Sequence, residues 1–349
     1  MDGNSDATRR QRVRIMSERK SKRAPRRRET SEESRAIAAI RRREATPAAV
    51  YRFLTEAEIN QLHKQPLETY TTTLAPRTAR EVLSILRSRR FRRKTAGSWA
   101  YRGQADSTWG LHSSIERSFG GPRVDVVKEL ILLRAFKRRA HHYIADLPDD
   151  GDELEWLALM QHYGAPTRML DCTLSPYVAT FFAVSGAQHG SAAAVWAFHL
   201  PALRGQAYRT FGAEGKALST VSEPQNFTDL LFSAPIEHRL HPLVCPVEPF
   251  RMNERLTIQQ GLFFCPRSPQ WGLETNLKVA LSDAAARPRL KGPHLYKIVI
   301  PESARLDLLE ELATMNITFA TLFPGLEGFA RSLGPALYLR IHRARTLNL

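Results

Sequence analysis

The sequence predicts an α+β protein with mixed, mostly antiparallel sheets and flanking helices, preceded by a disordered basic N-terminal arm. Strand-like and helix-like segments are interleaved, but without the regular alternation of a doubly wound parallel sheet. A chain that is 43% hydrophobic can bury one large core or two smaller ones, which excludes a wholly disordered protein. Neither GxGxxG nor a P-loop sequence is present, so those loops do not bind a nucleotide here.

The net charge of +16 is concentrated at the N-terminus. Residues 1–50 hold 15 Lys or Arg against 7 Asp or Glu, and this surplus of positive charge is half of the net charge of the chain. We therefore predict three parts: a disordered basic arm at 1–46, a helical lead-in at 47–95 and a main domain at 96–349. Basic charge attracts polyanions by releasing phosphate counterions, so we expect the arm to contact nucleic acid. A solvated tail that only aids solubility is the alternative.

Periodicity and capping residues predict the elements. Thr55 and Glu58 form a capping box for a short helix through His63. Further helices are predicted at 76–91, 122–144, 176–185, 303–315 and 326–333, with another that carries Trp156 and Leu159. Strands are predicted at 98–103, 168–172, 192–200, 261–265, 277–281, 295–300 and 336–341. Residues 201–250 are rich in Pro and predicted to be irregular.

The helix at 76–91 runs into a basic patch, Arg87–Lys94, with six basic residues in eight. We expect this patch to provide a second contact with nucleic acid. The alternative is a solvated helix end, where cations are favoured by the helix dipole.

Metal, membrane and secretion signals are weak. Cys172, Cys245 and Cys265 are widely spaced and form neither a metal-ligand pair nor a disulfide framework. The histidine pair at 141–142 lacks a third ligand, so no metal is expected. The N-terminus lacks the apolar run of a secretory signal, and no stretch of 18 apolar residues exists. We expect a cytoplasmic protein without a membrane segment.

Arg102 is the first candidate binding residue. It ends a predicted strand after aromatic residues, and its planar guanidinium suits phosphate. Gly103 would allow a ligand to approach the backbone closely. Pairing of Arg102 with an internal carboxylate is the alternative.

Two later segments carry further polar candidates. Thr173 and Ser175 lie where a predicted strand enters a helix, a place that often lines a site, although Ser175 before Pro176 also suits simple helix capping. Gln259 and Gln260 precede an apolar strand and could orient ligand hydroxyls or amides. A turn in which these amides satisfy backbone groups is equally consistent with the sequence.

Four parts of the main domain match the motifs of a known family. They are Trp99–Gln104 with Ser114–Arg117, Gln161–Pro176, Arg255–Phe263 and Leu322–Gly328. On these motifs the chain resembles the FRG domain family over roughly residues 80–340. Cys172 stands where the family usually has an aromatic residue, and Ser113 where it often has Pro.

In layout the chain also resembles the ADP-ribosyltransferases. That resemblance implies an ADP-ribosyltransferase-like fold and NAD as substrate. It also implies that an Arg binds the NAD phosphates and that a strand with Ser and Thr shapes the nicotinamide pocket. The implied NAD-binding residues are Arg102, Gly103, Gln104, Arg117, His162, Thr167, Arg168, Asp171, Thr173 and Ser175, and the implied catalytic residues are Gln259, Gln260 and Glu254. Those enzymes use a late Glu to stabilise an oxocarbenium ion. A Gln such as Gln259 lacks that charge, so the acid is expected elsewhere, at Glu254 or Asp171.

The resemblance thus implies an NAD-dependent ADP-ribosyltransferase acting on nucleic acid or a nucleic-acid-associated acceptor. Such an activity suits a toxin or a phage-defence effector, and an inhibitory partner protein would accompany a toxin, although the sequence does not identify one. The alternative is a non-catalytic module that binds a nucleotide or nucleic acid.

Overall fold

A seven-stranded mixed sheet runs through the described part of the protein. The computed structural model describes residues 54–91, 98–206, 241–249, 251–286 and 292–346. The strands are β1 (Thr72–Leu74), β2 (Trp99–Gln104), β3 (Leu170–Thr173), β4 (Ala193–His199), β5 (Val244–Val247), β6 (Gly261–Pro266) and β7 (Leu295–Ile300). Their order is β1-β7-β4-β2-β3-β6-β5. Within this sheet β1 and β7 pair in parallel and the other neighbours are antiparallel, which confirms the predicted fold class.

Helices flank this sheet. They are α1 (Glu56–Lys64), α2 (Ala79–Arg87), α3 (Ser114–Ser118), α4 (Val126–Ala140), α5 (Glu153–His162), α6 (Pro176–Gly186), α7 (Glu254–Ile258), α8 (Gly272–Ala285), α9 (Arg305–Thr314), α10 (Phe319–Leu322) and α11 (Leu326–Thr346). In the described segments, none of the helices combines the length and the apolar character needed to cross a membrane.

The core lies on both faces of the sheet. On one face, α6 buries Val178 and Phe181 in a cluster that also contains Leu308 of α9. On the other face, Leu277 of α8 packs in a cluster with Trp196 of β4. Complete burial of such a side chain contributes about 1.5–3 kcal/mol, so these clusters hold the sheet between its helices.

The lead-in contributes to this body. Thr55 caps α1, and the predicted capping box with Glu58 is present. Strand β1 then pairs in parallel with β7, from Thr72 opposite Tyr296 to Leu74 opposite Ile298. The described part of the lead-in therefore contains a strand as well as helices.

Glycine is required at position 103 by packing. A Cβ on Gly103 would lie 2.0 Å from the carbonyl oxygen of Ala179 and 2.6 Å from the backbone nitrogen of Ala183 in α6. The helix backbone already occupies the space next to the strand. Glycine here permits the approach of α6 to β2, and the close approach of a ligand stays a prediction.

Two predicted strands are helical, and two strands, β1 and β5, were missed. Residues 277–281 lie inside α8, where residues on every side of the helix are buried. Residues 336–341 lie inside α11, which continues past Pro335. Strand β5 lies in the segment predicted to be irregular. The arm at 1–46 lies outside the described residues.

Candidate functional site

A cavity of about 310 Å³ opens where β2, β3 and α7 meet, and we call it the Arg102 cavity. Its lining residues are Tyr101, Arg102, Gly103, Gln161, Asp171, Cys172, Thr173, Phe182, Arg255, Leu256, Gln259 and Gly261. Strands β2 and β3 pair at one register position, Tyr101 opposite Thr173, and β3 continues its pairing with β6. Polar segments that are distant in the sequence therefore meet at one place in the sheet.

Arg102 is anchored at one end of its guanidinium. Its Nη1 donates a hydrogen bond of 2.6 Å to the carbonyl oxygen of Asp171 and lies 4.0 Å from the Asp171 carboxylate. Its Nε is enclosed and has no hydrogen-bond acceptor among the described residues. The internal pairing considered as an alternative is thus present, but it leaves a buried donor unsatisfied.

Asp171 is held in place by a chain of hydrogen bonds. The amide nitrogen of Gln161 donates to Asp171 Oδ2 at 2.8 Å. The amide oxygen of Gln161 accepts from the hydroxyl of the buried Thr167, and the backbone nitrogen of Thr167 donates to the Ser114 hydroxyl at 2.9 Å. Thr167 does not line the cavity, but it fixes the amide orientation of Gln161 and so the position of the carboxylate.

Two further arginines lie near Asp171. Burial and then repulsion from Arg102 lower the pKa of Arg117, whose Nη1 donates to the carbonyl of His112. Burial also lowers the pKa of Arg255, and attraction to Asp171 opposes that shift. The guanidinium of Arg255 lies 4.3 Å from the centre of the Phe323 ring. Both arginines are thus attracted to the Asp171 carboxylate, and Glu116 and Glu327 attract Arg117 and Arg255 respectively.

Thr173, Ser175 and Gln259 mainly satisfy backbone groups. The Thr173 hydroxyl donates to the carbonyl of Gln259 at 2.7 Å, and Ser175 caps α6 by accepting from Val178 N at 3.3 Å. The Gln259 amide nitrogen donates to the carbonyl of Leu322 at 2.9 Å. Thr173 and Gln259 line the cavity, whereas Ser175 serves as the cap that the sequence also allowed.

Two predicted binding residues face the interior instead. The side-chain oxygen of Gln104 accepts from the Trp196 indole at 2.6 Å, and its nitrogen donates to the carbonyl of Gly110. Arg168 forms a buried ion pair with Glu129. These polar groups stabilise the fold and do not line the Arg102 cavity.

The remaining predicted residues lie outside the cavity lining. Glu254 and Gln260 are both exposed, on the first turn of α7 and just after its end. Gln260 has a positive φ of 49° and turns the chain into β6. His162 lines a second, adjacent cavity.

The sequence prediction omitted Gln161, Arg255, Tyr101 and Phe182, all of which line the cavity. A signal existed for Gln161 and Arg255, because each begins a motif block that contains a predicted residue. Tyr101 carried the same signal, because it lies in the Trp99–Gln104 motif next to Arg102, whereas Phe182 lies in an apolar run outside the motifs.

Two arginines in the described part of the basic patch contact aromatic side chains. Arg87 donates to the Tyr177 hydroxyl at 3.4 Å, and Arg90 lies over the ring of Tyr296 at 5.1 Å. Arg87 also lines an open groove of about 840 Å³ that carries acidic side chains, including Asp307 and Glu311. Residues 92–94 lie outside the described segments.

Metal ligands do not cluster in the described segments: no group of three His, Cys, Asp or Glu side chains is placed to hold an ion. No curated protein and no solved structure matches the chain. A family model, the FRG domain, matches residues 97–192, the region that supplies β2, β3, the end of α5 and Asp171. Residues 97–192 are therefore similar to the FRG domain, as the motifs at 99–117 and 161–176 predict, whereas the motifs at 255–263 and 322–328 lie outside the matched residues.

Proposed function

We propose that the Arg102 cavity binds NAD and that the protein transfers ADP-ribose from NAD to nucleic acid. The supporting observation is the unsatisfied Arg102 guanidinium, fixed by the Asp171 carbonyl at Nη1 but without an acceptor at the enclosed Nε among the described residues. The Arg102 side chain lines the cavity, and a planar guanidinium is suited to phosphate.

The rest of the lining is consistent with a nucleotide. Arg255 provides a second positive charge, and the half-buried Phe182 provides aromatic surface for a ring. A volume of about 310 Å³ lies at the lower end of the range for small-molecule sites. The cavity would therefore hold part of a dinucleotide, with the remainder along the rim near Arg117.

Asp171 supplies the negative charge that ADP-ribosyl transfer requires. In that reaction the bond from ribose C1′ to the nicotinamide nitrogen breaks, and its electron pair leaves with nicotinamide. The ribose becomes oxocarbenium-like, and the acceptor bonds to C1′ and releases a proton. Among the described residues, Asp171 is the one carboxylate that lines the cavity. A carboxylate beside the developing positive charge stabilises it, so Asp171 takes the role for which Glu254 was the other candidate.

The test uses the full chain with NAD labelled in its adenylate phosphate, together with single-stranded RNA, single-stranded DNA and protein acceptors. We expect label on nucleic acid, and we expect Asp171→Asn to reduce the rate at least about 100-fold while NAD still binds. Glu311→Gln, an exposed change on α9, is the matched control and should keep the wild-type rate. Absence of transfer by the wild type, or full activity in Asp171→Asn, would overturn the proposal.

A non-catalytic nucleotide-binding module is the second candidate. It is favoured by the state of the two glutamines: Gln259 donates its amide to Leu322, and Gln260 is exposed. NAD binding without label transfer to any acceptor would support this alternative. Growth arrest on expression of the wild type, but not of Asp171→Asn, would instead support a toxin or phage-defence role.

A further inference from the structure

A second cavity of about 180 Å³ adjoins the Arg102 cavity, and we call it the His162 cavity. Leu256 lines both cavities, so they lie on either side of this side chain. Gln161 and His162 are consecutive at the end of α5, and each lines a different one of the two cavities. The two cavities therefore share a wall, and Arg255 of the Arg102 cavity acts electrostatically on His162.

The His162 cavity suits a single ring. Leu159, Leu256 and Phe263 give it apolar walls, and the ion pair of Arg251 with Asp146, at 3.0 Å, stands among its polar lining. Its volume is well below that of sites for whole small molecules, so it has no room for a ring together with its phosphates. Tyr163, 60% exposed, lines the same space and offers an aromatic face on which a base can stack.

His162 is placed to take a proton. In the described segments neither of its ring nitrogens makes a hydrogen bond, and its ring packs edge-on against Tyr163 with centroids 4.9 Å apart. Burial and then the positive charge of Arg255 lower the pKa of His162 below its usual value, so the imidazole is neutral at pH 7. The other titratable side chains that line this cavity are Asp146, Glu155, Tyr163 and Arg251.

We infer that the His162 cavity holds the acceptor nucleobase and that His162 is the general base of the transfer. This inference rests on the proposed function. As an N–H or O–H of the base attacks ribose C1′, its proton passes to the imidazole, while nicotinamide leaves with the electron pair of the broken bond. A nucleobase is favoured over a protein side chain by the stacking surface of Tyr163 and by the net charge of +16, which attracts a polyanion.

The first experiment compares His162→Gln with the wild type, and with His142→Gln as an exposed control. We expect His162→Gln to slow transfer to single-stranded oligonucleotides about 100- to 10,000-fold, with an NAD Kd within twofold of wild type. The wild-type rate should fall as the pH drops through the His162 pKa, below 6.5. The pH–rate profile of the variant should lack this fall on the acidic side. Transfer to a protein acceptor in preference to the oligonucleotide would overturn the nucleobase assignment.

Chemical rescue separates a proton-transfer role from a structural one. Added imidazole should raise the transfer rate of His162→Ala at least tenfold, because a small base can occupy the space that the side chain leaves. His162 variants that bind NAD and transfer at the wild-type rate would overturn the inference while leaving the proposed function intact. Loss of NAD binding in Arg102→Lys tests the proposed function independently of His162.

Discussion

Replacement of Glu129 by Gln should destabilise the protein by about 3–5 kcal/mol, because it leaves Arg168 as a buried charge without its carboxylate. The paired side chains are only 6% and 3% exposed. Arg168 Nε donates to both carboxylate oxygens of Glu129, at 2.9 and 2.7 Å, and Nη2 makes a third contact. Gln keeps the shape of Glu129 but loses its charge and one acceptor.

Urea unfolding followed by circular dichroism measures this loss. The double variant Arg168→Met/Glu129→Leu should recover most of the stability, because apolar residues of similar volume often replace a buried ion pair without a net cost. A loss below about 1 kcal/mol in Glu129→Gln would refute the reasoning. So would a folded double variant that no longer binds NAD, since Arg168 would then belong to the binding site after all.

Three further predictions concern stability and charge. Gly103→Ala should destabilise the protein by at least about 1–3 kcal/mol in urea unfolding, because the new Cβ meets the Ala179 carbonyl; an unchanged midpoint would contradict the close packing. Ser175→Ala should cost about 1 kcal/mol from the lost cap at Val178, with NAD affinity unchanged by calorimetry. Deletion of residues 1–46 should reduce the slope of log affinity for nucleic acid against log salt concentration by several units. An unchanged slope would show that the arm does not contact nucleic acid.

The fold class was predictable because capping and periodicity are local signals. Thr55 and Glu58 specify the start of α1 without reference to the rest of the chain. The strand predicted at 277–281 was wrong because α8 is buried on every side, and a short apolar run fits a buried helix as well as a strand. The strand predicted at 336–341 was wrong because Gly334 and Pro335 usually end a helix, whereas α11 continues through them.

The site was predictable at the level of segments but not of side-chain direction. The motifs located Arg102, Asp171 and Thr173, and the structure places all three on one cavity. Within the same motifs, Gln104 and Arg168 turn into the core, where Trp196 and Glu129 satisfy them. A sequence shows which residues are polar, but tertiary packing decides which of them face a cavity.

The decisive measurement for the Arg102 cavity is calorimetric titration of NAD into the full chain and into Arg102→Lys. Lys keeps the positive charge but loses the planar fork, and a charge-assisted hydrogen bond is worth about 1.5–3 kcal/mol. Wild type should bind, Arg102→Lys should bind at least about tenfold more weakly, and Arg90→Lys, over Tyr296 and outside the cavity, should match wild type. Equal affinity of wild type and a folded Arg102→Lys, or absence of NAD binding by the wild type, would contradict the assignment of Arg102 to phosphate.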